Sequence, residues 1–159
     1  MVHLHGGGFV AMSSSMHQPY LVKWAKELDV PIFSIDYRLA PEVQYPNQLD
    51  DCINGYLWII FFVELVLKVK IKNLILTGDS AGGNLGYALI NWCIVNGIRK
   101  PDFFFAHYPV VNFNFQNWYT PSYLYAMDEP ILNYATLKMC GKYYLPENVD
   151  ANNDAYCCI

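Results

Sequence analysis

The chain has 159 residues, 54% hydrophobic and 15% charged, enough apolar material for one domain with a real core and too much for a disordered chain. A net charge of −4, with no basic cluster standing out, argues against nucleic acid as a partner and for a small molecule. Five cysteines, an odd set with no C-x-x-C pair and no histidines at zinc spacing, are expected to be reduced thiols with no metal, and with no signal peptide legible at the N-terminus the expected location is cytoplasmic.

The first residues, Met1-Val2-His3-Leu4, already alternate as a strand does. A strand with no polar lead-in leads us to expect further chain upstream. It runs into His5-Gly6-Gly7-Gly8-Phe9. Consecutive glycines after a strand let the backbone approach a ligand and leave its N–H groups unhindered, as an oxyanion hole requires; a flexible glycine loop is the alternative.

From His17 to Leu28 the residues Leu21, Trp24, Ala25 and Leu28 recur at helical spacing, opposite Lys23, Lys26 and Glu27, predicting a helix over one sheet face. It should end at Asp29-Val30-Pro31, since proline cannot continue it. Ile32 to Ile35 reads as a buried strand, followed by the loop Asp36-Tyr37-Arg38-Leu39-Ala40-Pro41-Glu42. Arg38 is expected to pair with Asp36 or Glu42 and fix this loop.

Asn47 with Asp50 and Asp51 reads as a helix start. The stretch Tyr56 to Val63 is apolar all round, but Glu64, Lys68 and Lys70 keep it well short of the ~20 residues a membrane span needs. A buried helix is expected, open to peripheral contact with a lipid surface wherever its outer face is uncovered.

Leu74-Ile75-Leu76-Thr77 is a strand-length apolar run that stops at Gly78-Asp79-Ser80-Ala81-Gly82 and restarts in helical period through Leu85, Ala88, Leu89, Trp92 and Cys93. Strand, glycine-bracketed serine and helix make the pattern G-x-S-x-G, with Ser80 at the apex of a sharp turn. Side chains at Gly78 or Gly82 would collide with neighbouring backbone. The Ala81 amide, at the start of the helix, is placed to donate to an oxyanion.

Gly97 offers the helix a stop, Phe103 to Ala106 reads as another buried strand, and plausible helices follow near Ser122 to Ala126 and Ile131 to Tyr144. The region from about 110 to 159 is less regular, and Cys157-Cys158 reads as an ordinary chain end. Strands alternating with helices imply an α/β fold with a parallel sheet, helices on both faces, and sites at the C-terminal ends of the strands.

The runs His5 to Phe9, Asp36 to Glu42 and Gly78 to Asn84, in this order and spacing, resemble the hormone-sensitive lipase family of α/β-hydrolases. The likeness extends to His17-Gln18-Pro19-Tyr20, Tyr108-Pro109 and Pro121 to Leu132, and so covers nearly the whole chain. It implies an α/β-hydrolase fold, here a single domain incomplete at both ends. It also implies a serine nucleophile at Ser80 and oxyanion donors on the backbone of Gly7, Gly8 and Ala81. His5, Gly6, Gly78, Asp79 and Gly82 would support the site. By the same resemblance the substrates are carboxylic esters, from short acyl esters to neutral lipids, cleaved through an acyl-enzyme with no cofactor and no metal.

In the family the triad aspartate and histidine follow two further strands, and no residue here matches either. Asp128 aligns with an earlier segment, His17 with a helix start, and His107 lies in the strand before Pro109. Loss of serine or histidine from such a triad costs about 10⁶ in kcat, with about 10³–10⁴ over water surviving from the oxyanion hole and binding. The expectation is therefore a serine esterase or lipase for lipophilic esters, impaired as written. The alternative is a non-catalytic small-molecule-binding module or inactive remnant, as in plant gibberellin receptors, which resemble this family and lack the histidine. Oligomeric state is left open.

Overall fold

Four short apolar runs become strands: β1 Val2–Leu4, β2 Phe33–Ile35, β3 Ile75–Asp79 and β4 Phe103–His107. The computed structural model describes residues 1–113 and 120–158; six residues of the less regular C-terminal segment, and residue 159, lie outside that description. The sheet is parallel throughout in the order β2-β1-β3-β4. Parallel neighbours need a crossover, and the helices α1 Ser14–Leu28, α2 Asn47–Leu67 and α3 Ala81–Val95 supply the three.

Because side chains alternate along a strand, the two sheet faces separate cleanly. His3 and Asp79 meet Tyr20 and His17 of α1 on one face. On the other, Val2, Leu4 and Leu76 are fully buried with Leu85 and Leu89 of α3 and Tyr56 of α2. Each such side chain contributes roughly 1.5–3 kcal/mol of transfer free energy. The helices thus cover both faces, as expected for α/β.

α1 starts three residues before the expected His17 and ends at Asp29, whose φ of +50° turns the chain out of the helix. α2 begins at the expected Asn47. The expectation of burial holds for only one side of α2: Tyr56, Ile59 and Val63 are buried, while Trp58, Phe61 and Phe62 are exposed. A run that is apolar all round carries no information on which face finds a partner.

Arg38 does not pair with Asp36 or Glu42. It grips Asp51 of α2 with Nε and Nη2 at 2.8 and 2.9 Å, because the N-terminal part of α2 presents a carboxylate that a guanidinium fork matches. Asp36 instead accepts the backbone N–H and hydroxyl of Ser14.

Two further helices follow, α4 Pro121–Tyr125 and α5 Tyr134–Tyr144, capped by Thr120 and Asn133 side chains that accept from Tyr123 N and Thr136 N. α5 closes on the glycine loop: Tyr144 is fully buried and stacks on Phe9 at 3.7 Å. Cys157 is no ordinary chain end. It is fully buried, and its carbonyl accepts from Asn84 Nδ2 at 2.8 Å.

Candidate active site

Ser80 stands between β3 and α3 with φ +53° and ψ −111°, a conformation that costs a residue with a side chain of order 1–3 kcal/mol and persists only when the surroundings fix it. Three backbone bonds fix it. Ser80 N donates to His107 O at 2.8 Å, and Ser80 O accepts from Asn84 N and Val110 N at 3.2 and 3.3 Å. The glycines are explained by contact as well: a Cβ on Gly78 would lie 2.3 Å from Gly82 O, and one on Gly82 2.0 Å from Leu4 O. The second contact brings the N-terminus of α3 against the end of β1, where the glycine loop begins.

That loop turns on positive φ angles at Gly7 (+116°), Gly8 (+62°) and Phe9 (+65°). Gly7 O accepts from Val10 N and Ala11 N, which closes the loop. Among the described residues the N–H groups of Gly7 and Gly8 are given no acceptor, and Ala81, as the first residue of α3, has no partner within its helix. Gly6 abuts the elbow directly, since a Cβ there would be 3.0 Å from Asp79 O. On the far side a Cβ on Gly8 would be 2.7 Å from Cys140 Sγ.

His5 is buried beneath the loop and held on every side. Its Nδ1–H donates to Gly6 O at 2.7 Å, its ring stacks on Tyr37 at 4.2 Å, and the Tyr37 hydroxyl donates to His5 O at 2.7 Å. Burial pushes the imidazole below its ordinary pKa, opposed by Gly6 O and the Asp36 carboxylate. Its geometry is that of a wedge for the loop.

Asp79, next to Ser80, anchors a polar cluster on the α1 face. Its Oδ2 accepts from the Tyr20 hydroxyl and lies 3.6 Å from His17 Nε2 and 3.9 Å from His3 Nε2. His3 in turn bonds Ser34 Oγ at 2.7 Å and Tyr20 Oη at 3.1 Å, and His17 Nδ1–H donates to Ser13 O at 3.0 Å. Burial alone would raise the carboxyl of Asp79, but His3, Tyr20 and His17 outweigh it and hold it below the ordinary range. Burial and Asp79 together push the Tyr20 phenol up.

The structure therefore brings together Ser80, Ala81, Gly82, Gly78 and Asp79 of the elbow with His5, Gly6, Gly7 and Gly8 of the loop. It does not bring an imidazole to the serine: among the described residues no histidine ring bonds Ser80 Oγ, and His107 reaches Ser80 only through its carbonyl. Nor is any group of three or more His, Cys, Asp or Glu placed to hold a metal ion among the described residues. Sequence reading missed Tyr20, His3 and Cys140 as neighbours of the site. Helical spacing could have found Tyr20, three residues after His17 on the same face of α1; nothing local pointed to Cys140.

Comparison with known proteins agrees with this fold. A family model described as alpha/beta hydrolase fold matches residues 1–159. Hormone-sensitive lipase of Mus musculus is 43% identical over 144 residues, which is 91% of this chain and 19% of the relative. Among solved structures, a bacterial heroin esterase superposes with a TM-score of 0.88 at 27% identity, over 99% of this chain and 50% of that one. A hyperthermophilic esterase from the archaeon Pyrobaculum calidifontis gives 0.88 at 28% identity, over 98% and 51%. The chain thus spans about a fifth of the length of the lipase and half that of the solved esterases.

Proposed function

From a chain that belongs to the alpha/beta hydrolase fold family, we propose a serine carboxylic-ester hydrolase acting on uncharged, lipophilic esters through an acyl-enzyme. Residues 1–159 are read as one domain of that fold. The observation that carries the proposal is the strained Ser80, φ +53°, set at a strand-helix junction beside a loop whose Gly7 and Gly8 N–H groups have no acceptor among the described residues.

In this reading Ser80 Oγ attacks the ester carbonyl carbon while the carbonyl electron pair moves onto oxygen. The N–H groups of Gly7, Gly8 and Ala81 receive that oxyanion, a role in which each donor is worth about 10²–10³ in kcat. The intermediate collapses by expelling the alcohol, and water then hydrolyses the acyl-enzyme. No step calls for a cofactor. The serine proton needs a base, and with no imidazole on Ser80 Oγ among the described residues these residues alone make an impaired nucleophile. The base is assigned to chain beyond them.

Lipophilic esters gather at lipid surfaces, so the reading includes peripheral contact with one. No helix of the described residues is long and apolar enough to cross a membrane. Cys52, Cys93, Cys140, Cys157 and Cys158 are free thiols, which supports a cytoplasmic location.

A fluorophosphonate probe tests the nucleophile. The full-length protein should label at Ser80 and hydrolyse acetate, butyrate and longer esters, with Ser80→Ala abolishing both; the described chain alone should label far more slowly. The bare serine also supports a second reading, a binding module of the same fold. Saturable ester binding by the full-length protein, with neither labelling nor turnover, would establish that reading instead.

A further inference from the structure

Helix α2 is apolar on two faces, and the fold uses one of them. Cys52, Tyr56, Ile59 and Val63 face the core. Trp58, Phe61, Phe62 and Leu65, spaced i, i+3, i+4 and i+7 on the other side, face outward, with Phe61 62% and Leu65 76% exposed. This outward stripe runs about 10 Å along the axis. The N-terminal half of the same face is polar, with Asp50 and Asn54 exposed, so the change of character falls at Trp58.

Past the helix the chain reads Lys68-Val69-Lys70-Ile71-Lys72. All three lysines are exposed, and none joins a salt bridge among the described residues. Glu64, the one acid between Trp58 and Lys72, turns its carboxylate back to accept from Ile71 N at 2.8 Å. Within a chain of net charge −4 this end of the helix is therefore locally basic as well as apolar.

We propose that the C-terminal half of α2 with the lysine turn docks on an anionic lipid surface. The stripe has the composition of an interfacial helix, aromatic and leucine side chains entering the boundary between headgroup and acyl chain. The lysine stems extend along that apolar surface and hold their ammonium groups at the headgroups. Charge selects the occupant, because an apolar partner alone would give three unpaired lysines nothing to do. β3 runs from this turn to Ser80, so the docking end and the serine lie at opposite ends of one strand, and the contact is a tether that leaves the catalytic end free. The proposal rests on the lipid-surface contact included in the ester-hydrolase reading and gives that contact a place and a charge; its test involves no turnover, so its failure leaves the hydrolase reading standing.

The test is co-sedimentation of the full-length protein with phosphatidylcholine vesicles, with and without phosphatidylserine, at low and high salt. Binding should be stronger to the anionic vesicles and weaken with salt, and Trp58 emission should shift to the blue. Phe61→Ser with Leu65→Ser should lower binding to both vesicles at least tenfold. Each Lys→Gln change at 68, 70 and 72 should cost roughly fivefold on the anionic vesicles alone. The altered side chains are exposed, so melting should be unchanged. Absent binding, or binding indifferent to both sets of changes, overturns the proposal. So does a Trp58 already shielded from aqueous quencher without vesicles, which would mean that another part of the chain or a second copy covers the stripe.

Discussion

Tyr20 donates its hydroxyl hydrogen to Asp79 Oδ2, tying the middle of α1 to the residue before the serine. The bond spans two elements that are not neighbours in sequence, and it lies beside the Gly6 contact with Asp79 O. Asp79 is thereby held by its side chain from one direction while its backbone carries the elbow in another. In the hydrolase reading proposed above, Tyr20 would act on Ser80 through Asp79, as a positioning residue.

Replacing Tyr20 by Phe should therefore lower kcat about tenfold with KM little changed. A hydrogen bond to a charged group contributes roughly 1.5–3 kcal/mol, and denaturant titration should find a loss at the lower end of that range. The pH–rate profile should also shift, because Asp79 loses one of the donors that keep its pKa low. A loss of stability with unchanged kinetics would make the bond structural only.

Position 80 should trade stability against function. Ser80→Gly removes the strain of φ +53°, of order 1–3 kcal/mol, against the roughly 0.4–1 kcal/mol that glycine's freedom in the unfolded chain costs. Ser80→Gly is expected to unfold at higher denaturant concentration than wild type, and Ser80→Ala at the same concentration. Both should be blind to the fluorophosphonate.

Gly8 is confined by its φ of +62° and by Cys140 Sγ. Gly8→Val should cost stability as well as turnover, so it cannot by itself separate donor loss from misfolding. Gly8→Ala combined with Cys140→Ala removes the collision with Sγ and leaves the φ strain and a 3.2 Å approach to the Cβ of residue 140. A double-mutant cycle should give a coupling of at least about 0.5 kcal/mol, favouring the pair. Additive losses would mean that the loop moves freely of α5.

Acid should unfold the protein in two stages. His5 has a lowered pKa in the fold, so the unfolded chain binds the proton first and stability falls as pH drops through the ordinary histidine range near 6.5. Asp79 is also lowered, and its contribution, present above its unfolded pKa, is lost as pH falls below the carboxylate range towards its folded pKa. Melting temperature against pH should show both declines, and His5→Asn should remove the upper one.

What was legible in the sequence was local. β1 to β4, the elbow and the glycine loop rest on short local runs, and each was located within about two residues. The outer two strands were expected to be buried and are not: β2 is half-buried, and Phe103 and Phe105 of the edge strand β4 are exposed. Partners chosen across the fold were not legible. Arg38 was read against Asp36 and Glu42 of its own loop, and only the placement of α2 brings it Asp51. The burial of Cys157 depends on the chain end returning to Asn84, which no periodicity announces. The outward face of α2 read as core because an apolar stretch looks the same from every side until the fold presents one side to a neighbour.

The strand order carries a consequence for the timing of folding. β1 is an inner strand, flanked by β2 and β3, and Leu4 pairs with Gly78 as well as with Ile35. During synthesis β1 and the glycine loop leave the ribosome with α1 and β2 soon behind, but the second neighbour of β1 is not made until one further crossover, α2, has been translated. The nascent chain therefore carries a half-paired strand edge through the emergence of α2, the longest helix of the described residues. Such non-local pairing is slow and exposes edges to wrong partners, and the interval between β1 and β3 is where a chaperone would have most to protect.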